Sequence, residues 1–424
     1  MSIFKMYFNN FPSRALLVAL AAVMLTACGG GDSGSSGGAA SGGGIVTAPA
    51  PSPPSAANVL GVVVDSGPGG NSVNRLYTTV TVCQPGSGSQ CQTIDRVLVD
   101  TGSIGLRLLS SVMAPALNLP RLTGNTGLAL LNCAQFVDNT FAWGPVAVAD
   151  VLLGGKRAAS VPIQVIAEPA FNRLAAACSS GDEVTSPATL DANGILGVGL
   201  YKEDCGASCA NTAANGIYYT CASASCFSTT RSVASIAKQV KNPVPLFATD
   251  NNGILIDLPG VGIAGAPTLA GSLVFGIATQ PNNQFTPGSV LTTTRAGNFT
   301  TLLGGRSLDT SFLDTGSNGL FFDTSLLPVC SGSSGSVFYC PTALTTFSAT
   351  MVGANGVSVP VSFSVSNALT SFSSGTLAAI PTLAGNVLDA RTFDWGLPFF
   401  YGRRVFVGIE GQPSALGTGP FYAF

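Results

Sequence analysis

One short sequence occurs twice in this chain, and this repeat restricts the possible folds more than any other feature. The first copy has the apolar run 97–99 and continues as Asp100-Thr-Gly-Ser-x-Gly-Leu. The second has an apolar run ending at Leu313 and continues as Asp314-Thr-Gly-Ser-x-Gly-Leu. Because the two copies lie about one domain length apart, we expect one copy in each of two similar lobes.

The rest of the chain has the texture of an all-β protein. Short runs rich in Val, Ile, Leu, Thr and Phe alternate with Gly, Pro, Asn and Ser, which is typical of strands joined by turns. Residues 232–241 are the clearest helix candidate, because their apolar side chains are spaced by three or four and Pro243 follows. The best strand candidates are 76–82, 96–99, 161–166, 253–258, 272–275 and 357–365.

The length of the chain beyond its first segment predicts more than one core. Residues 58–424 exceed the size at which a single hydrophobic core stops growing. We therefore predict an all-β fold of two lobes with a few short helices, the first lobe at 58–250 and the second at 251–424. No apolar run in this part is long enough for a membrane-spanning helix.

The chain contains no histidine, which excludes several kinds of chemistry. A Ser-His-Asp triad, a Cys-His pair and an HExxH zinc site all need imidazole. The 18 Lys and Arg residues nearly balance 20 Asp and Glu residues, with no basic cluster, which argues against nucleic acid as a partner. We predict no metal and no cofactor, so any catalysis falls to carboxylates, hydroxyls, Lys or the backbone.

The N-terminus predicts export and a lipid anchor. Lys5 and Arg14 precede an apolar run at 15–25, and the sequence Leu-Thr-Ala stands directly before Cys28. This arrangement is that of a secretory signal peptide, here 1–27, and its end resembles the lipobox of bacterial lipoproteins, in which the cysteine is acylated. Residues 28–57 are almost entirely Gly, Ser, Ala and Pro, which predicts a disordered tether. We expect the bacterial cell envelope, with anchoring at the outer membrane because Gly29 follows the cysteine.

Without Cys28, ten cysteines remain, an even number that suits an oxidising compartment. Three pairs are close enough in sequence to close single loops. A four-cysteine zinc cluster built from 205, 209, 221 and 226 is the alternative for part of this set, but it lacks paired C-x2-C spacing. The expected pairs are Cys83 with Cys91, Cys221 with Cys226, and Cys330 with Cys340.

Two aspartates brought together can hydrolyse a bond without histidine. Neighbouring carboxyls cannot both ionise easily, so the pair shares one proton and supplies a base and an acid at the same pH. Glycine after each Asp-Thr lets the backbone turn tightly, and the serine hydroxyl can stabilise the ionised carboxylate. We expect each threonine to bond the backbone across the junction of the lobes. The candidate residues are Asp100 and Asp314, supported by Thr101, Gly102, Ser103, Thr315, Gly316 and Ser317.

With these two motifs the chain resembles the pepsin-like aspartic peptidases, whose active site is formed by one Asp-Thr-Gly-Ser/Thr loop from each lobe. The run Asn193–Gly199 is similar to the strand that crosses behind the first loop in that family. Residues 394–400 and 403–409 are similar to its counterpart behind the second loop. The resemblance implies a two-lobed double β-barrel and a peptidase that holds an extended polypeptide between its lobes.

The chain departs from that family in two places. The hairpin flap of the family carries a tyrosine in a Tyr-Gly-Thr/Ser-Gly context, which is absent here; Phe136, Phe141 and Trp143 are the candidates for its place. The cysteine-rich insert 201–230 has no clear counterpart. The sequence thus predicts an anchored, monomeric aspartic endopeptidase with an acidic optimum. The alternatives are a catalytically silent pepsin-fold lipoprotein that binds peptide or glycan, and a structural spacer closed by disulfides.

Overall fold

A computed structural model describes residues 56–424 except 179–180, 223–225, 286–287, 332–336 and 388. The predicted signal peptide, Cys28 and nearly all of the tether lie outside the described residues. The described residues belong to one compact unit.

The first part of the described chain is built from short and medium strands. Its strands are β1 (Val59–Val64), β2 (Leu76–Cys83), β3 (Cys91–Asp100), β4 (Ile104–Leu109), β5 (Leu130–Gln135), β6 (Thr140–Leu153), β7 (Lys156–Ile166), β8 (Asp182–Glu183), β9 (Gly194–Val198), β10 (Tyr218–Cys221) and β11 (Thr229–Arg231).

The second part continues in the same way. Its strands are β12 (Gly253–Asp257), β13 (Leu269–Phe275), β14 (Val290–Thr292), β15 (Phe299–Leu303), β16 (Arg306–Leu313), β17 (Leu320–Phe322), β18 (Thr345–Val352), β19 (Ser358–Val365), β20 (Ala384–Gly385), β21 (Phe393–Trp395), β22 (Arg404–Gly408), β23 (Pro413–Ser414), β24 (Gly417–Thr418) and β25 (Phe421–Ala423). All six strand predictions made from the sequence coincide with observed strands.

Helices are few and short in the described part of the chain. The α-helices are α1 (Pro187–Leu190), α2 (Ala207–Asn211) and α3 (Ala368–Ser373). Single 3-10 turns occur at Ser110–Val112, Pro169–Phe171, Ile236–Lys238, Val244–Leu246, Pro281–Asn283 and Leu397–Phe400. Among these elements no helix is long and apolar enough to cross a membrane.

The predicted helix at 232–241 is wrong, because only Ile236–Lys238 turns, as a single 3-10 turn. Two contacts hold the flanking backbone in other conformations. The Ser232 amide donates to the Tyr218 carbonyl at 2.9 Å, which prolongs the pairing of β10 with β11. The Val240 amide donates to the Tyr218 hydroxyl at 2.8 Å. Tertiary contacts thus override an apolar spacing that by itself favours a helix.

The strands form two main sheets, and one of them joins the two parts of the chain. The larger has the order β11-β10-β5-β6-β7-β4-β9-β3-β2-β1-β13-β12-β22-β25-β14, and β8 pairs with β6. The antiparallel pairing of β1 with β13 connects the first part of the chain to the second. The smaller sheet has the order β19-β18-β15-β16-β21-β17-β20. These barrel-like sheets, with few short helices, are the all-β two-lobed architecture that the sequence predicts.

The same strand connection occurs once in each half. In the first half, β3 enters the loop, β4 leaves it, and β9 runs between them, parallel to β3 and antiparallel to β4. In the second half, β21 runs parallel to β16 and antiparallel to β17 in the same way. Each exit strand also has a parallel partner on its other side, β7 for β4 and β20 for β17. The sequence repeat is therefore a repeat of topology.

The cysteines confirm the expectation of disulfide bonds. The three predicted pairs, Cys83–Cys91, Cys221–Cys226 and Cys330–Cys340, are all present. Two further pairs, Cys133–Cys178 and Cys205–Cys209, complete the set of ten. The four cysteines of the zinc alternative are thus all in disulfides, which leaves no thiolate to bind a metal.

Candidate active site

The two Asp-Thr-Gly-Ser loops lie against each other. The amide of Thr101 donates to the Thr315 hydroxyl at 3.1 Å, and the amide of Thr315 donates to the Thr101 hydroxyl at 3.0 Å. The Thr101 hydroxyl then donates to the Leu313 carbonyl at 3.2 Å, and the Thr315 hydroxyl donates to the Val99 carbonyl at 2.8 Å. The expected bonding of each threonine to the opposite backbone is present, and it fixes the two loops relative to each other.

The glycines of the loops give the two carboxyls room to meet. A Cβ atom added to Gly102 would lie 2.5 Å from Cγ of Asp314, and one added to Gly316 would lie 2.7 Å from Oδ1 of Asp100. Each glycine therefore faces the carboxyl of the opposite loop, and any side chain there would displace it. The carboxyls of Asp100 and Asp314 are in hydrogen-bonding contact with each other; we call them the Asp pair.

Each carboxyl of the Asp pair is also held by its own loop. The amide of Gly102 donates to Oδ1 of Asp100 at 2.8 Å, and the amide of Gly316 donates to Oδ1 of Asp314 at 2.7 Å. The Ser103 hydroxyl donates to Oδ2 of Asp100. The Ser317 hydroxyl is 2.9 Å from Oδ2 of Asp314. These contacts hold both oxygens of each carboxyl, the Oδ1 atoms through the glycine amides and the Oδ2 atoms through the serine hydroxyls.

Burial shapes the electrostatics of the Asp pair, since neither residue has exposed surface. Burial raises the pKa of Asp100, while hydrogen bonds from Asp314 and Ser103 work against that rise. Burial is also the main cause that holds the pKa of Asp314 well above its ordinary value, and the charges of Asp100 and Asp394 add to it. Two buried carboxyls in contact therefore share one proton and carry one negative charge between them.

Two charged residues beside the second loop are not among those predicted from the sequence. Asp394 lies in β21, and its Oδ2 is 2.6 Å from the Ser317 hydroxyl. Arg75, which has almost no exposed surface, donates from Nη1 to the Gly316 carbonyl at 2.7 Å and pairs with Asp191 at 3.6 Å. The sequence signal that could have identified Asp394 is a charged residue inside an apolar run, here Phe-Asp-Trp in β21.

The three aromatic flap candidates lie in the interior. Phe136, Phe141 and Trp143 have 5%, 2% and 1% of their surface exposed and belong to two hydrophobic clusters. The Trp143 indole donates to the Phe171 carbonyl at 2.7 Å, and its ring packs edge-on against Tyr219 at 5.3 Å. A flap side chain must face the space above the Asp pair, so this packing gives no support to a flap role for the three rings.

A buried polar cluster joins the cysteine-rich insert to the first half. Nη1 of Arg107, on β4, donates to Asn132 at 2.6 Å and to Gln164 at 2.5 Å. Its Nη2 lies 3.2 Å from Asp204, whose other carboxylate oxygen accepts from the Tyr218 hydroxyl at 2.5 Å. Burial raises the pKa of Asp204, and the Arg107 charge opposes that rise. The insert, which pairs β10 with β5, is thereby fixed to the strand that leaves the first loop.

The described residues offer no group of three or more His, Cys, Asp or Glu side chains placed to hold a metal ion. The Asp pair has the groups that general acid-base catalysis needs. One ionised and one protonated carboxyl in contact can accept a proton from water and donate one to a carbonyl oxygen.

Fold and site together define a class: an all-β, two-lobed, pepsin-like protein in which each half carries one Asp-Thr-Gly-Ser loop. Within that class, the chain belongs to the family described as "Protein of unknown function (DUF3443)", whose sequence model matches residues 54–424. No curated protein matches the chain.

Among solved structures that are similar to this chain is the aspartic proteinase from Irpex lacteus. It is 14% identical to this chain, and the TM-score is 0.45. The match covers 86% of this chain and 96% of that one. Because this identity and this TM-score are low, the class is assigned from the strand topology of the chain itself.

Proposed function

We propose that this protein is an exported, membrane-anchored aspartic endopeptidase that hydrolyses peptide bonds in an extended polypeptide held between its two halves. The observation that carries the proposal is the contact between the carboxyls of Asp100 and Asp314, each at the end of the same strand and loop. Acid-base hydrolysis needs only one proton shared between such groups, with no histidine, metal or cofactor.

In the proposed reaction Asp100 is the base and Asp314 is the acid. A water between the carboxyls gives a proton to ionised Asp100 and bonds through its oxygen to the peptide carbonyl carbon, while protonated Asp314 gives its proton to the carbonyl oxygen. The carbon–nitrogen bond then breaks. The amine leaves with the proton from Asp100, and a hydroxyl of the intermediate returns a proton to Asp314, so the enzyme ends as it began.

The site needs one ionised and one protonated carboxyl, which sets the expected pH dependence. Activity falls at low pH when Asp100 is protonated and at high pH when Asp314 is ionised. The Ser103 hydroxyl stabilises the ionised form of Asp100, which supports an acidic optimum. A pH–rate profile that peaks on the alkaline side contradicts this assignment.

Export and anchoring are part of the same proposal. Five disulfides support an oxidising compartment, and the Cys28 sequence supports acylation of that residue. The proposed location is the bacterial cell envelope, anchored at the outer membrane as a monomer. The variant Cys28→Ser should move the protein from the membrane fraction to the soluble fraction, and an unchanged distribution contradicts the anchor.

The experiment that tests the proposed activity is cleavage of an unfolded polypeptide by the purified protein over a range of acidic to neutral pH. Asp100→Asn and Asp314→Asn should each lower the cleavage rate by about a thousandfold or more, because each removes one of the two proton-transferring groups. The matched control is Asp257→Asn. Asp257 is partly exposed and pairs with Arg404 at 3.3 Å, so this variant should cleave like the wild type.

Thermal unfolding separates loss of chemistry from loss of fold. Both Asp-pair variants should unfold cooperatively, as the wild type does. Cleavage that persists in both variants contradicts the mechanism, and cleavage that requires added metal contradicts the metal-free route.

One observation favours a second candidate, a pepsin-fold protein that grips peptide or glycan without turnover. Neither Asp100 nor Asp314 has exposed surface, so this structure gives a substrate no direct access to the pair. Binding of a polypeptide with no product at any pH from acid to neutral would support this candidate over the peptidase.

A further inference from the structure

A third buried carboxyl lies directly behind the second loop. Asp394 is the central residue of β21, between Phe393 and Trp395, and it has no exposed surface. In the parallel pairing of β21 with β16 it lies opposite Phe312, two residues before Asp314. A carboxyl in the middle of an otherwise apolar, fully buried strand is costly unless it is hydrogen-bonded.

The first half has no counterpart of this carboxyl. In that half the crossing strand is β9, where Ile195 lies opposite Leu98, two residues before Asp100. Ile195 and Asp394 thus occupy equivalent positions in the two copies of the topology. The exchange of an aliphatic side chain for a carboxyl is the main chemical difference between the strands behind the two loops.

The carboxyl reaches the Asp pair through a hydroxyl. Oγ of Ser317 lies 2.6 Å from Oδ2 of Asp394 and 2.9 Å from Oδ2 of Asp314. A hydroxyl has one proton to donate, so it cannot donate to both carboxylates at once. When Ser317 donates to Asp394, its 2.9 Å contact with Asp314 is a hydrogen bond only if Asp314 is protonated and donates to the Ser317 oxygen.

We propose that Asp394 is a positioning residue of the site, which acts through the Ser317 hydroxyl to keep the shared proton on Asp314 and the negative charge on Asp100. The proposal rests on the proposed function insofar as it assigns the acid and the base of hydrolysis. In the first half the described contact of the Ser103 hydroxyl is with Asp100, to which it donates its proton, and this stabilises the ionised form of Asp100.

The charged and titratable groups around the second loop agree with this assignment. The charge of Asp394 is one cause that raises the pKa of Asp314, after burial and the charge of Asp100. Arg75, from the segment before β2, is directed to the Gly316 carbonyl and to the Asp191 carboxylate.

A further titratable group near these carboxyls is a phenol on β25, that of Tyr422. Burial is the largest cause that raises the pKa of Tyr422, and the charges of Tyr201, Asp314 and Asp394 add to it. This phenol therefore stays neutral and brings no charge to the site.

The test is the pH–rate profile of Asp394→Asn. The amide removes the charge and donates to the Ser317 oxygen, which frees the serine proton for Asp314 and stabilises its ionised form. The alkaline limb of the profile should therefore move to lower pH by about one unit, while the acid limb, set by Asp100, moves little. Asp394→Ile, which copies the residue of the first half, should give the same shift if the asparagine variant fails to fold.

Two further variants separate positioning from a general structural role. In a Ser317→Ala background, Asp394→Asn should shift the alkaline limb by less than it does in the wild type, because the hydroxyl link is absent and only the charge of Asp394 still acts on Asp314. The control Asp257→Asn should leave both limbs in place. An alkaline limb that stays in place or rises in folded, active Asp394→Asn overturns the proposal, as does an equal shift in the Ser317→Ala background.

An infrared titration tests the same claim without turnover. The band of the protonated carboxyl that disappears in Asp314→Asn should vanish at lower pH in Asp394→Asn than in the wild type. If the protein cleaves nothing but this band shifts, the peptidase proposal fails and the positioning role holds. If cleavage occurs and the band does not shift, the positioning role fails alone.

Discussion

The two Asp-Thr-Gly-Ser loops have the same backbone setting and different chemical surroundings. In each half an apolar strand leads into the loop, and a crossing strand passes beside it in the same register. Behind the first loop the crossing strand has Ile195, whereas behind the second it has Asp394. The repeat therefore specifies where the two carboxyls meet, and in the proposal above Asp394, which lies outside the repeat, sets which carboxyl keeps the proton.

The exit strands differ in the opposite sense. Arg107 on β4 lies opposite Ile195, and Phe321 on β17 lies opposite Asp394. The first half therefore has its buried charge on the exit strand, balanced by Asp204 from the insert, and the second half has it on the crossing strand. Each half accommodates one buried charged group in this pair of positions.

The largest expected effect is a loss of stability when the buried residue on an exit strand, β4 or β17, is replaced. Arg107→Leu leaves Asp204 buried without its cation, which should lower the free energy of unfolding by about 3–5 kcal/mol. Phe321→Leu removes part of one ring from an apolar cluster and should cost about 1–2 kcal/mol. Urea unfolding of both variants measures the difference, and equal losses would show that the Arg107 cluster is no more important than ordinary packing.

The disulfides allow a similar comparison of the two halves. Replacing Cys133 and Cys178 by alanine opens a link across a sequence separation of 45, and replacing Cys330 and Cys340 opens one across 10. The chain-entropy relation gives losses of about 4 and about 3 kcal/mol. Unfolding under oxidising conditions checks the order, and a larger loss for the second pair would contradict it.

The glycines test whether the contact between the loops is equally tight from both sides. Gly102→Ala and Gly316→Ala each place a methyl group against the opposite carboxyl, so each should cost about 1–3 kcal/mol of stability and separate the Asp pair. Cleavage should fall at least about tenfold in both, because the proton can no longer be shared. A variant that folds and cleaves like the wild type would show that the carboxyls do not need this contact.

The smallest expected effect is on the pH dependence of stability. Because the pKa of Asp314 is raised in the folded protein, its contribution is fully present below the unfolded pKa of about 4 and is lost as pH rises through the folded value. Asp314→Asn should therefore lose less stability than the wild type between pH 4 and neutrality. Unfolding free energies at the two pH values give the comparison; an identical fall in the variant contradicts a raised pKa.

Much of the fold could be predicted from the sequence because its signals are local. Alternating apolar runs and turns predict the strands, as in the hairpin of β6 and β7 with Gly154-Gly155 at its turn. The helix at 232–241 failed, because apolar spacing over ten residues cannot reveal that the Tyr218 hydroxyl binds the Val240 amide. That contact depends on the position of the insert, which no local pattern specifies.

The sequence predicts the two central aspartates of the candidate site, but it does not predict the buried charged residues around them. The repeat was sufficient to choose Asp100 and Asp314 and to expect the threonine contacts between the loops. The sequence identifies Asp394 only as part of an apolar strand. Its partner Ser317 is distant in sequence and becomes a neighbour through the register of β16 and β21. The same holds for Arg107 and Asp204, which meet only after the insert has folded onto the first half.

The most direct test of the central claim is the binding of a statine-type peptide, whose hydroxyl mimics the attacking water, measured by calorimetry at acid pH. If Asp100 and Asp314 share one proton and act together, the mimic should bind at one site at least about a hundredfold more tightly than the matching plain peptide. That advantage should disappear in both Asp100→Asn and Asp314→Asn. Equal affinity for the mimic and the plain peptide, or an advantage that survives both substitutions, would contradict the account.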